Sequence, residues 1–447
     1  MSEHPTPPEL EAFLQGWLPK ERLRSVVRHL VHGCPSCTAE LNKGRGRLTT
    51  SSKRELSEVE NVAYSEAFSR SAKTARHLQL EARRAREITP LLAHGGVRAV
   101  VQDADMPLRG LGMYQALLGR SWAVRHENPH EMVRLARAAV EVAGRLDVGY
   151  YGAKRLADLQ ARAWGELGNA LRVADDLDEA DRAFGTSFEL LLKGTGDPYL
   201  KVRLYDLQAS FLGTRREFAL AFAALDITHK IYLELGDNHL AGRSLLIKAI
   251  YTFYNGSPEE ALRINRDGLR RIDETRDPDL LFQAVHNELS FLVYCGKFRE
   301  ARRALFENTA RLGRQVVVGE VNRLKLRWLQ GQISAGLLEL DGAEEAFVEV
   351  KGGFESVGLG FAAALVSLDL GVVWMRQGRY RDTEDLVEEA ADVFFALKIQ
   401  REAISSIMIL RDAFEKRQGT LVLLESVVEF LRRSQIDPDA RFTPRFG

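Results

Sequence analysis

In the segment AWGELGNALRVADDLDEADRAF, Trp164, Leu167, Gly168, Leu171, Ala180 and Phe184 follow one another at spacings of 3, 1, 3, 9 and 4. Steps of three and four are the helical period, and the longer step crosses a polar cluster, so the pattern predicts two helices joined by a tight turn. It returns downstream. Ala209, Leu212, Ala221 and Leu225 form a second copy, and Ala249, Gly256 and Ala261 a third. Leu289, Leu292, Gly296, Ala301 and Leu305 form a fourth, Gly331, Ala343 and Phe347 a fifth, and Gly371, Trp374, Gly378 and Val387 a sixth. The positions Gly168, Ala209, Ala249, Leu289, Gly331 and Gly371 step by 41, 40, 40, 42 and 40, with Leu289 breaking a small-residue rule and Thr383 standing where the sixth copy should carry Ala. Small residues there let two antiparallel helices approach, while Trp164 and Phe184 fill the gap to the next pair. Pro198 follows GTGD, Pro258 follows YNGS and Pro278 follows TRD, each a turn-like cluster, and no other proline lies between Glu131 and Ile436. No run of alternating Val, Ile and Thr suggests a sheet. The expected fold class is all-α.

This spacing resembles the tetratricopeptide repeat, in a longer-helix variety with a period near forty and a GD-type turn, as in LELGDNHLAGRS. The resemblance covers about 160–395 and implies a solenoid of stacked helical hairpins, with capping pairs at its ends. The resulting organisation is a module over 1–40, a basic linker and helix over 41–90, N-terminal helical pairs over 91–160, six repeats over 161–397, and capping helices with a tail over 398–447. In such arrays the first helix of each pair lines the concave surface. Its inner positions include Arg162, Asn169, Arg172, Arg203, Arg243, Lys325 and Trp328. Arg162, Arg203, Arg243, Gln283 and Lys325 lead successive repeats as a basic ladder suited to the carboxylates of a peptide or an acidic partner surface. The same side chains read equally as solvated helix positions, and Trp328 as a packing residue.

The N-terminal segment HPTPPELEAFLQGWLPKERLRSVVRHLVHGCPSCTAEL carries His4, His29, His32, Cys34 and Cys37. The CPSC pair places two thiolates one turn apart. Gly33 suits the end of the preceding helix and Pro35 the first turn of the next, which brings imidazole and thiolates together. Zinc favours such a four-coordinate nitrogen and sulfur set. A redox dithiol is the rival reading, although it normally wants a βαβ neighbourhood, and unrelated surface residues are a third. The segment resembles the zinc-binding domain of bacterial anti-sigma factors, through His4, His29, Cys34, Cys37 and the surrounding ELEAFL…LP…VVRHL text. That resemblance implies structural zinc on His4, His29, Cys34 and Cys37, and a sigma factor as partner. His-x₄-Cys between His29 and Cys34 is one residue longer than the family's spacing, which leaves His32 as a rival ligand.

Composition narrows the function. The 447 residues are 45% hydrophobic, enough to bury a core, and 62 basic side chains balance 62 acidic ones. Exact balance argues against a surface that coats nucleic acid or anionic membrane throughout. Three cysteines make no disulfide scaffold and suggest a reducing compartment, and no stretch is long and apolar enough to span a membrane: Phe361 to Met375 is short and carries Asp369. The N-terminus lacks the features of a signal peptide, so a cytoplasmic protein is expected. Residues 41–86 hold eleven basic against five acidic side chains, a solvated arm or a docking one, and Tyr64 and Phe68 offer little for base stacking. No phosphate loop, GxSxG, HExxH or catalytic Cys–His signature occurs, so no enzyme is expected. The leading reading is a bacterial-type scaffold or regulator that binds a protein or peptide in its groove while the zinc module engages a second partner. The alternative is a transcription regulator acting on a sigma factor, or on nucleic acid through the N-terminal module and basic arm.

Overall fold

The computed structural model describes residues 4–14, 18–31, 34–37, 39–41, 73, 76–94, 110–125, 127–315, 319–397 and 401–445. The chain divides into two compact units, Met1–Ala82 and Arg83–Gly447. The described residues are helical with no strand, so the fold is all-α as the periodicity predicts. Most of the basic linker, including Lys43, Arg45, Arg47, Lys53, Arg54 and Arg70, lies outside the described residues.

In the first unit, α1 (Pro7–Leu14) and α2 (Lys20–Val31) precede a short turn of helix over 35–37. Leu10, Val26 and Cys37 are buried, with Phe13, Leu18, Leu30, Cys34 and Leu41 packed around them. Glu9 ties the helices: its carboxylate accepts from the Thr6 backbone N–H (2.8 Å) ahead of α1 and from Arg22 Nε (2.8 Å) on α2.

In the second unit, helical residues 83–94, with Ile88 and Leu92 buried, come before the pair α3 (Leu111–Ala123) and α4 (Pro129–Gly144), then the short α5 (Val148–Tyr151). Six hairpins follow. They are α6/α7 (Ala153–Val173, Leu177–Leu192), α8/α9 (Pro198–Thr214, Phe218–Glu234) and α10/α11 (Asn238–Tyr254, Pro258–Leu269). Next come α12/α13 (Pro278–Tyr294, Phe298–Gln315), α14/α15 (Glu320–Gly336, Leu340–Ser356) and α16/α17 (Gly360–Arg376, Tyr380–Ala396). A last pair, α18 (Arg401–Glu415) and α19 (Leu421–Ile436), ends the array.

The local chemistry explains the boundaries. Asp176, Asp197, Asp237 and Asp277 accept backbone N–H bonds at the starts of α7, α8, α10 and α12, while Pro198, Pro258 and Pro278 occupy first turns whose N–H groups need no helical partner. Each hairpin turn passes through one left-handed residue: Asp175 (φ 64°), Arg216 (60°), Gly256 (82°), Gly296 (69°), Leu338 (63°) and Gly378 (79°). The next N–H then returns to a carbonyl five residues back, as in Asp176 to Leu171 (2.9 Å) and Arg379 to Trp374 (2.8 Å), which closes the first helix of each pair.

Packing follows the small-and-large pattern. Ala180, Ala221, Ala261, Ala301 and Ala343 are fully buried. At Gly331 a Cβ would sit 2.6 Å from the Phe347 ring, so only glycine admits that phenylalanine. The two departures have local explanations. Leu289 is buried in the same cluster as Leu305, a smaller partner than the Phe that faces Gly331. Thr383 is fully buried, and its hydroxyl donates to the Arg379 carbonyl (2.9 Å), so its polar atom is satisfied. None of the described helices is long and apolar enough to cross a membrane.

Candidate functional site

The N-terminal unit gathers four donors. His4 precedes α1, His29 sits in the last turn of α2, and Cys34 and Cys37 flank the short helix that follows. His4 Nδ1 lies 3.4 Å from Cys34 Sγ and 3.5 Å from Cys37 Sγ, and the His4 and His29 rings meet edge to face at 4.9 Å. One ligand atom from each of the four residues falls within 4.8 Å of all the others. A zinc tetrahedron with bonds of about 2.0–2.3 Å has donor–donor edges of roughly 3.3–3.8 Å, the range of the two His4–cysteine separations.

Two further observations fit an ion. His29 Nε2 is buried and has no hydrogen-bond partner, an uncompensated donor or acceptor in a site otherwise built of polar groups. The Ser36 hydroxyl, 3.2 Å from Cys34 Sγ, and the Cys37 backbone N–H hold the Cys34 thiol down at about 6, whereas burial pushes the Cys37 thiol up. The pair therefore provides a thiolate near neutral pH, the form that binds metal. The structure brings His4, His29, Cys34 and Cys37 together as a group able to hold a metal ion; His32 lies outside the described residues.

In the array, the ladder residues divide. Arg203 grips the buried Glu166 with two bonds, Nε to Oε1 (2.9 Å) and Nη2 to Oε2 (3.0 Å), and its guanidinium lies 4.7 Å over the Trp122 ring. Arg243 pairs in the same register with the buried Asp206. Asn169 is buried and accepts from Arg172 (Nη2 3.0 Å, Nε 3.2 Å). Arg203 and Arg243 thus lock neighbouring repeats, and Arg172 serves a contact within its own helix. Arg162 and Lys325 are exposed and make no ion pair among the described residues. The acids were present in the sequence, but they lie 37 residues from their arginines, across repeats rather than one turn away on the same helix.

The later half of the array lines a partly open cavity of about 1080 Å³. Its apolar wall includes Phe253, Phe291, Tyr294, Trp328, Leu365 and Val428, and its polar groups include His286, Asn287, Lys325, Gln332 and Asp369. The closing element is α19, which returns across the array. Arg376 holds Glu425 (2.7 Å), Arg432 pairs with Asp369, and Arg216 Nη1 donates to the Ile436 carbonyl at the far end (2.5 Å). Asp369 is buried and also accepts from Trp328 Nε1 (2.8 Å) and Gln332 Nε2 (3.0 Å). The sequence marks 398–434 as a cap but gives no local sign that its second helix crosses the concave side.

Where Glu166 and Asp206 face arginines in the early repeats, His286 faces Lys325 in the fourth. Burial first, and the Lys325 ammonium second, push His286 down to about 4 from its ordinary 6.5. A histidine kept neutral in the fold contributes stability that is fully present above the unfolded value and is lost as pH falls through the window from 6.5 toward 4. Unfolding free energy is expected to drop by about 2 kcal/mol between pH 7 and pH 5 on this account. His239, lowered by burial as well, adds to the fall with the same sign. Urea titrations of His286→Gln should show a flatter profile over that interval; an unchanged profile would contradict the assignment.

No protein-family model matches the chain, and no curated protein matches it. Solved structures do. A Signal Transduction ATPase with Numerous Domains (STAND) protein with a tetratricopeptide repeat sensor, from Pyrococcus horikoshii, aligns over 92% of this chain with a TM-score of 0.55 and 14% sequence identity. The chain spans 55% of that protein's length. Aspartyl phosphate phosphatase F from Bacillus subtilis aligns over 87% of this chain and 93% of its own, at 13% identity and a TM-score of 0.48. The likeness to the Pyrococcus horikoshii protein concerns the fold, and it agrees with the hairpin geometry: the chain carries a tetratricopeptide-like helical array.

Proposed function

We propose that the chain works by binding rather than catalysis, as a scaffold or regulator that holds a protein or peptide partner on its tetratricopeptide-like array. The observation that carries this reading is the exposed leading-helix cation Arg162, which has no ion-pair partner among the described residues while Arg203 and Arg243 are committed to Glu166 and Asp206. A free cation on a face rich in inter-repeat contacts suits an acidic partner surface. The N-terminal module is proposed to hold zinc on His4, His29, Cys34 and Cys37, because two imidazoles and two thiolates match its preference. When bound, the ion ties together segments that share little core. By the resemblance in these residues, a sigma factor is the class of partner this module engages.

The test begins with a partner captured from the native host on the full-length chain and then purified. Its affinity for Arg162→Glu is expected to be about tenfold weaker, the loss of roughly 1.4 kcal/mol, and to fall with added salt. Equal affinity for the wild type and the variant, or no dependence on salt, overturns the electrostatic reading of the groove.

A further inference from the structure

The chamber behind α19 contains polar groups that its own chemistry does not satisfy. Its acids are occupied: Asp369 by Trp328, Gln332 and Arg432, Glu425 by Arg376, and Glu429 by Arg445 at 3.3 Å. The cations Arg376 and Arg432 are held in the same pairs. Arg433 also lines the cavity, and its guanidinium donates to the Arg441 carbonyl (2.8 Å). What remains is the Lys325 ammonium, with no ion pair or hydrogen bond among the described residues, and Asn287 Nδ2, which is buried with no hydrogen-bond partner. An amide N–H left unmatched in a buried place costs about 1–3 kcal/mol. The two belong to the adjacent concave helices α12 and α14, and both line the cavity. The unpartnered groups are therefore one ammonium and one amide donor, beside an apolar wall.

The size of the cavity narrows what can enter. Drug-sized ligands occupy pockets of about 300–1,000 Å³, mostly apolar with a few convergent polar groups, and this chamber of about 1080 Å³ is of that kind. Because α19 runs from Asp369 and Arg376 on the sixth hairpin to Arg216 on the second, an extended chain cannot lie along this part of the concave face. That helix is not a loose strap: Leu423, Leu424, Val427, Phe430 and Leu431 are buried in one cluster with Phe394, Ile407 and Leu410. One unpartnered ammonium with one amide donor on the neighbouring helix suits a monoanionic carboxylate, whereas phosphate usually recruits several arginines or a helix N-terminus.

We propose that this chamber binds a small amphipathic carboxylic acid, its apolar body against Phe253, Phe291, Trp328 and Val428 and its carboxylate on Lys325 Nζ and Asn287 Nδ2. The site goes beyond the partner surface around Arg162 and is tested separately from it. The probe is 11-(dansylamino)undecanoate, titrated by fluorescence into the full-length chain, with its methyl ester as the uncharged arm and decanoate as the competitor. Saturable binding of one acid per chain is expected, with decanoate displacing it and the ester binding at least about tenfold more weakly, the worth of one charge-assisted contact. Lys325→Gln, a change at an exposed side chain, should weaken the acid by a similar factor and leave the ester unaffected. Asn287→Leu should weaken the acid while its thermal midpoint stays level or rises, because Nδ2 makes no hydrogen bond to lose. Arg162→Glu should leave probe binding unchanged, so failure of the partner reading and failure of this one are distinguishable. Equal binding of acid and ester, no saturable binding, or an acid affinity indifferent to Lys325→Gln overturns the proposal.

Discussion

Stripping metal from the full-length chain is expected to unfold residues 4–41 and to leave the helical array intact. The reason is the thinness of the N-terminal core. Leu10, Val26 and Cys37, with Pro5, are its buried residues among those described. Burying a side chain of this size stabilises by about 1.5–3 kcal/mol, while ordering each residue's backbone costs about 1–2 kcal/mol. So few buried side chains cannot balance roughly thirty described residues, whereas a structural zinc site of this type contributes about 10–16 kcal/mol at neutral pH. Elemental analysis should give one zinc per chain. After chelation, hydrogen exchange over 4–41 should lose its protection, with peptides from 153–397 unchanged. Cys34→Ser/Cys37→Ser should reproduce both the metal loss and the exchange pattern. A metal-free chain that keeps 4–41 protected would end the zinc assignment.

The hairpins were legible in the sequence because close helix packing needs a small residue opposite a large one at a fixed offset. Gly331 against Phe347 leaves no room for a Cβ, so the pattern cannot drift between repeats. Turns were legible only in part. Gly256, Gly296 and Gly378 announce their left-handed positions, but Asp175, Arg216 and Leu338 occupy the same place in other hairpins. A non-glycine residue there costs about 1–2 kcal/mol, an amount that surrounding packing can absorb, so residue type alone conceals the turn while the period reveals it. The donor cluster was legible because its four residues lie within one short segment, although the Ser36 hydroxyl beside Cys34 and the unpartnered His29 Nε2 emerge only in the fold. The ladder and the chamber were not. Arg203 finds Glu166 across a repeat boundary, and Arg216 finds the Ile436 carbonyl across 220 residues. Contacts at such separations leave no local periodic trace.

Asp369→Ala is expected to destabilise the array by about 3–5 kcal/mol, the combined loss of two hydrogen bonds to a charged acceptor. In the sequence this residue is only the charge that interrupts an apolar stretch. In the fold it is buried and serves three donors at once: Trp328 Nε1, Gln332 Nε2 and Arg432. Truncation strands the indole N–H and the amide with no acceptor, and hydrogen bonds to a charged group contribute about 1.5–3 kcal/mol each. Arg432, with 39% of its side chain exposed, can return to water, so the loss is weighted toward the two neutral donors. Asp369→Asn keeps an acceptor oxygen and should cost about half as much. Because Arg432 belongs to α19, the effect has a location: exchange over 421–436 should rise more than exchange over 153–234. If Asp369→Ala lowers stability while α19 stays as protected as the rest of the array, the carboxylate is a packing residue and not the pin that holds the chamber wall.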